Sequence, residues 1–336
     1  MKFGVFDHMD LSGRPLAQHF ADRLRVVQAY DRLGFHAYHV AEHHGTPLGS
    51  ASSPSVWLSA VAQHTTRIRL GPLIYILPLY HPLRLAEEVC MLDALSGGRF
   101  MLGIGRGASP IEASFFGVPA DEMQPRYFEA TEVLLKALTQ GRVTHHGRFF
   151  DFEDVPMVVR PVQRPMPELW YASRTPDSFE WAARAGANTV TLAVDDQVRR
   201  LTDIYKAAWR AEGRSLADLP LVGVSRHIVV ADTDEAARAL AEKAYAAWLH
   251  GFRKLWIDRG FPIQLKDLYP DTWDELVAIK NGCAGSPETV LAYTRDEVER
   301  CGVNYLVSWF AFGDLPVEAS LRSVDLFAGH VMPQFS

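Results

Sequence analysis

Strand-like and helix-like patterns alternate along this chain from one end to the other, and few folds accommodate that rhythm. Residues 2–6 read as an apolar strand. Residues 17–33 read as a helix, with Phe20, Leu24, Val27 and Leu33 at helical spacing and Gly34 as terminator. Residues 36–41 read as a second strand, and 55–64 as a helix behind a Ser53–Pro54 start. The pairs continue with strand 68–77 and helix 83–95, then strand 99–104 and helix 122–139. After a break, strand 168–172 leads to helix 176–185, strand 188–193 to helix 198–212, and strand 221–230 to helix 234–250. A helix at 288–301 precedes the last pair, strand 304–309 and helix 317–331. Repeated units with apolar strands imply a parallel sheet covered by helices. Eight such pairs in 336 residues predict one α/β domain over 1–336, a closed (β/α)₈ TIM barrel, with an open doubly wound sheet as the alternative. Two stretches break the rhythm and are expected to be insertion loops: 141–165, which opens on a hairpin-like 143–150, and 251–285.

Composition closes off several classes of function. The net charge is −6, and no basic stripe with interleaved aromatics is present, so a nucleic-acid partner is not expected. The three cysteines, Cys90, Cys283 and Cys301, lack metal-ligand spacing and fit free thiols in the cytoplasm. No charged leader precedes a longer apolar run. The most apolar stretch, 70–79, is cut by Pro72 and Pro78 and is too short to span a bilayer, so no membrane association is expected.

Active sites of such barrels lie where strands feed into helices. Read at those positions, the chain offers Asp7–His8 after the first strand and Glu42-His43-His44 after the second. Ionisable groups are costly to desolvate, so a carboxylate beside two imidazoles at a strand end points to chemistry rather than stability. No HExxH is present, and His39 and His43 lie about two pleats apart on a strand, which disfavours a metal. Proton transfer by one histidine is the favoured reading, because histidine alone titrates near neutral pH unperturbed; helix capping is the plainer alternative.

The fourth strand ends in Gly103-Ile104-Gly105-Arg106-Gly107 and the fifth in Ser173-Arg174-Thr175-Pro176-Asp177-Ser178. Glycines before a helix let backbone N–H groups approach an anion, and an arginine adds a charge-assisted contact. With Arg126, the two turns suit a cofactor phosphate; an N-cap alone would need only one of these hydroxyls. Tyr75, Trp170, Trp309 and Phe310 could wall a flat ring, although core packing explains most of them.

The ordered set of motifs resembles the bacterial luciferase-like, flavin-dependent monooxygenases over nearly the whole chain. The matching pieces are 33–35 leading to Ala41-Glu42-His43-His44, then 67–71, 77–78 and 81–88, then 92–100 with Ser-Gly-Gly-Arg-Phe, 103–107, and the end at 326–333. The resemblance implies that reduced FMN, supplied by a separate flavin reductase, sits at the barrel mouth and reacts with O₂. A flavin hydroperoxide then oxidises a small organic substrate. It places the catalytic histidine at His43, with Glu42 beside the ring system, and a cis peptide at Leu73–Ile74 under the isoalloxazine. It places the phosphate on Gly105, Arg106, Gly107, Arg126, Ser173, Arg174, Thr175 and Ser178. It also implies a homodimer through helices 55–64 and 83–95, using Trp57, Leu58, Val61 and Met91. Two positions depart from luciferase proper: Gly105 stands where a reactive cysteine is found, and Arg174 replaces an acidic residue. A deazaflavin-dependent oxidoreductase of the same fold and a non-catalytic flavin-binding subunit are the alternatives; a complete Glu-His-His argues against the second.

Overall fold

Strands buried on both faces must be covered on both, and here the chain does so by alternating each strand with a helix. The computed structural model describes residues 1–11 and 13–335. The first half runs β1 (Lys2–Asp7), α1 (Leu16–Leu33), β2 (Ala37–Val40), α2 (Pro54–His64), β3 (Arg69–Pro72), β4 (Tyr75–Ile76), α3 (Pro82–Leu95), β5 (Met101–Gly105), α4 (Pro110–Phe115) and α5 (Met123–Thr139). A hairpin, β6 (Arg142–His146) and β7 (Asp151–Pro156), then intervenes. The second half runs β8 (Glu168–Ala172), α6 (Pro176–Ala185), β9 (Asn188–Thr191), α7 (Asp195–Ala211), β10 (Val222–Val230), α8 (Asp234–Asp258), α9 (Trp273–Ala278), β11 (Gly282–Gly285), α10 (Pro287–Cys301), β12 (Tyr305–Trp309) and α11 (Val317–Leu326).

Neighbouring strands pair in parallel in the order β3-β2-β1-β12-β10-β9-β8-β5-β4. β3 and β4 are two pieces of one barrel strand, split at Leu73–Ile74, whose peptide bond is cis, as the family likeness implied. β3 pairs with β2, β4 pairs with β5, and Leu70 bridges to Phe100, so the ring closes through the third strand. This is the expected TIM barrel rather than an open sheet. Gly105 permits part of the closure: a Cβ there would stand 2.8 Å from the Ile74 side chain. Gly34 ends α1 at φ +85°, a conformation that side chains with a Cβ resist.

Three features depart from the pattern read along the sequence. The hairpin's second strand begins at Asp151, later than 143–150 suggested. α4 lies in a stretch left without an element. The 251–285 stretch is not a plain loop: α8 continues through its first eight residues, α9 follows, and β11 extends the sheet by pairing with β10. Gly251 interrupts the helical pattern, at a cost of about 1 kcal/mol. Inside α8 it packs against the Pro47–Leu48 backbone at ordinary contact distance, and Thr46 Oγ1 donates to its carbonyl at 3.2 Å.

The faces of α2 and α3 also need correction. Trp57, Leu58 and Val61 are buried within the chain itself. The apolar residues left outward on these helices are Val56 (72% exposed), Met91 (54%) and Leu95 (48%). Among the described residues no helix is long and apolar enough to cross a membrane.

Candidate active site

The second strand carries its polar residues past its last ladder pair and onto the rim. Glu42 is nearly fully buried, and both of its oxygens are occupied. Oε2 accepts the Ile76 backbone N–H at 2.9 Å, just beyond the cis peptide, and Oε1 accepts His44 Nε2–H at 2.9 Å. Glu42 therefore ties the third barrel strand to the second, instead of presenting a free carboxylate at the mouth. His44 packs its ring on Phe116, with centroids 4.6 Å apart.

His43 has a different partner, one that was not anticipated. Its Nδ1 lies 3.0 Å from Glu112 Oε1 on α4, and the same oxygen accepts the His44 backbone N–H at 2.9 Å. Glu112 is 4% exposed at its side chain and His43 27%. Burial alone would raise the Glu112 carboxyl; the His43 ring and the His44 N–H outweigh it and hold the group below the ordinary Glu range. An ionised carboxylate only accepts, so Nδ1 of His43 carries a proton, and in the neutral ring Nε2 is then the lone-pair nitrogen. The missed signal was local. Ser109-Pro110-Ile111-Glu112 has the S-x-x-E spacing of a helix start, and Ser109 Oγ does accept the Glu112 N–H at 3.2 Å.

Two further histidines line the neighbouring wall. His8 follows β1, and its ring centre lies 5.4 Å from that of His43. The His227 ring, on β10, lies tilted 4.0 Å from Trp309 and edge-on 4.8 Å from Trp248, centre to centre. Burial pushes His227 down to about 3; burial first, and the Arg23 guanidinium in the same direction, hold His8 well below the ordinary histidine value. Both are therefore neutral at physiological pH and poor bases. Tyr75, Trp170, Trp309 and Phe310 are all buried in the core, in line with the plainer reading of them.

The anion-suited residues fall into separate groups. β5 and β8 are neighbours, with Ile104 opposite Tyr171, so the turns carrying Arg106 and Ser173 emerge side by side. Arg106 is exposed, and its bond within the chain runs to the adjacent Gly107 carbonyl at 3.3 Å. At the start of α6, Ser173 Oγ accepts the Thr175 N–H at 3.2 Å and Thr175 Oγ1 donates to Ser178 Oγ at 2.8 Å. Arg174 stands 3.6 Å from Asp267. Arg126 pairs with Glu122 at 3.5 Å, lies over the Phe149 ring at 4.7 Å, and keeps a buried Nε without a partner. It lines a cavity of about 440 Å³ with Tyr80, His81, Phe116 and Phe149, whose walls include neither Arg106 nor the 173–178 turn. Among the described residues no group of three or more His, Cys, Asp or Glu side chains is placed to hold a metal ion.

A closed parallel barrel with a carboxylate-oriented histidine at its C-terminal rim matches the layout of barrel enzymes, whose active sites open at that face. The chain belongs to the luciferase-like monooxygenase family, whose profile matches residues 1–305, and it is an oxidoreductase. It is 43% identical over 332 residues to the uncharacterised protein y4wF of Sinorhizobium fredii, covering 99% of this chain and 96% of that one. It is 29% identical to the oxygenase component of a flavin-dependent trigonelline monooxygenase from Acinetobacter baylyi, covering 100% and 96%. Among solved structures it resembles the monooxygenase RslO1 of Streptomyces bottropensis, at TM-score 0.89 and 29% identity over the full length of both chains.

Proposed function

We propose that this protein is the oxygenase component of a two-component system, which takes reduced FMN from a separate reductase and uses O₂ to oxidise a small organic substrate. The observation that carries the reading is the His43–Glu112 pair, in which a buried carboxylate fixes one nitrogen of a partly exposed histidine and leaves the other as an acceptor. A merely flavin-binding subunit would have no use for that arrangement. The relative named as an oxygenase component supports both the flavin and the separate reductase.

The residues present fit a flavin phosphate. Gly105 and Gly107 keep the fourth-strand turn free of side chains, Arg106 is unengaged by any carboxylate among the described residues, and the Ser173–Thr175–Ser178 hydroxyls gather at the start of α6. Arg126, with its orphaned Nε, is the second cation offered. Leu73 and Ile74, joined by the cis peptide between β3 and β4, would support the ring system. When bound, reduced flavin supplies the electrons that activate O₂. His43 moves a proton at Nε2, Glu112 holds the tautomer, and Glu42 fixes the strand beneath. The outward Val56, Met91 and Leu95 of α2 and α3 pack against a second copy, giving a homodimer.

The test is a ligand comparison. Charge-assisted bonds to a phosphate contribute about 1.5–3 kcal/mol, so Arg106→Ala should weaken FMN by roughly tenfold to hundredfold and leave riboflavin unchanged. Equal weakening of both ligands would refute the phosphate assignment. Tighter binding of a deazaflavin than of FMN by the unmodified protein would favour hydride transfer without O₂. Light scattering showing a monomer at micromolar concentration would remove the dimer.

A further inference from the structure

The turn after β1 is built to hold His8 in one orientation. Met9 adopts φ +56°, a left-handed conformation uncommon for a side chain with a Cβ, and is fully buried. Asp7 secures that turn: its Oδ1 accepts the Met9 N–H at 2.7 Å and its Oδ2 accepts the Tyr38 hydroxyl at 3.1 Å. The His8 ring is then wedged between Phe6, with centroids 4.9 Å apart, and Trp309, at 4.7 Å.

One contact decides the proton. The Trp248 indole Nε1–H points at His8 Nδ1 from 3.3 Å. An indole nitrogen only donates, so Nδ1 of His8 must be the lone-pair nitrogen and Nε2 must carry the hydrogen. His43 is arranged the other way round, with its Nδ1 proton given to Glu112 and its Nε2 open. Two imidazoles whose centres are 5.4 Å apart thus offer opposite functions: His43 an acceptor, His8 a donor. Burial, with the Arg23 guanidinium acting in the same direction, keeps His8 neutral, so its role does not switch near neutral pH. Among the described residues no hydrogen bond is made by His8 Nε2, although the residue retains 8% of its surface.

We infer that His8 is a substrate-binding residue whose Nε2–H, fixed by Trp248, receives an acceptor oxygen of the substrate, a carbonyl being the simplest, beside the His43 base. This rests on the oxygenase reading for the identity of the base, but not for the tautomer. It narrows the substrate class: the reacting region should bear an oxygen acceptor next to an apolar body facing Phe6, and should not present a cationic donor there.

The test has two arms. In the first, the protein is labelled with ¹⁵N-histidine and its ring nitrogens are followed by NMR from pH 6 to 8. His8 should show an unprotonated Nδ1 and a protonated Nε2 throughout, and Trp248→Phe should turn this into a mixture of tautomers. A protonated Nδ1 in the unmodified protein would overturn the inference. In the second arm, acetophenone and ethylbenzene, alike in shape and differing in the acceptor oxygen, are titrated with and without FMN. Acetophenone should shift the His8 signal and bind about five- to tenfold better than ethylbenzene, the range of one neutral hydrogen bond. His8→Leu should abolish that preference and His8→Gln, which keeps a donor, should retain most of it. No acetophenone-dependent shift at His8, or an unchanged preference in His8→Leu, sinks the inference. Absence of FMN binding would sink the flavin reading alone, because the tautomer and the ketone preference are read on the protein without it.

Discussion

His43 and His227 both lie in the upper part of one barrel, yet their surroundings differ: one is paired with a carboxylate and partly open, the other is sealed among indoles. His43 meets a carboxylate, Glu112, on a short helix above the rim and stays partly open to solvent. His227 meets indoles, at 4.0 Å and 4.8 Å, and is fully buried. The same side chain thus becomes a base or an apolar wall plate according to its partner, since an imidazolium needs either water or an anion to be tolerated. His8 lies between the two environments, packed like His227 but touching His43. Position at the barrel mouth therefore does not distinguish these histidines; the partners of their ring nitrogens do.

The largest effect expected from this contrast is at His43. His43→Ala should bind FMN nearly normally and lose substrate oxidation by about 10²–10⁴-fold, the usual contribution of a positioned acid or base. His44→Ala should be milder, because that ring spends its Nε2 on Glu42. Full turnover in His43→Ala, measured by product formation, would move the base elsewhere. A smaller loss is expected at Glu112. Glu112→Gln offers Nδ1 an amide that can donate as well as accept, so the ring can settle in the wrong tautomer. The loss should be about 10–100-fold, the scale seen for outer partners of ligating histidines. It should vanish in a His43→Ala background, since the two act as one unit. Additive losses in the double variant would show that Glu112 acts independently of His43.

The smallest effect belongs to the wall and appears in stability, not turnover. His227 has a folded pKa of about 3 against an unfolded value near 6.5. Between those values the unfolded chain binds more protons, so the stabilisation is complete above about pH 6.5 and is lost as the pH falls. Replacing His227 with Gln should therefore remove about 2 kcal/mol of the destabilisation seen between pH 7 and pH 5 in denaturant melts. His39, buried against Tyr305 and also pushed down to about 3, should leave a comparable residual slope in that variant. Equal pH slopes for His227→Gln and the unmodified protein would mean that His227 is charged when folded.

Much of this architecture is legible along the chain, and the reason is locality. Strands 168–172 and 304–309 announce themselves by short apolar runs, and α6 by a proline start and a glycine stop, because propensity and capping act within a few residues. The failures have equally local causes. α4 is only Pro110–Phe115, too short to show a periodic face, so its S-x-x-E start passed unread and Glu112 with it. Propensity alone ends α8 at Gly251, whereas the helix runs on to Asp258 with Gly251 buried against the Thr46–Leu48 segment. Trp57 and Val61 suit both a barrel and a partner by apolar spacing, which cannot say which of two neighbours a helix face meets, and in the fold they are buried within the chain.

The residues along the chain established that Glu-His-His would stand at the end of a second barrel strand, since strand period and turn chemistry are written in consecutive positions. They did not establish which histidine would hold which proton. That was settled by Glu112, 69 positions from His43, and by Trp248, 240 positions from His8. A tautomer is fixed by the donor or acceptor that the other nitrogen meets, and such partners come together only when the ring of strands closes.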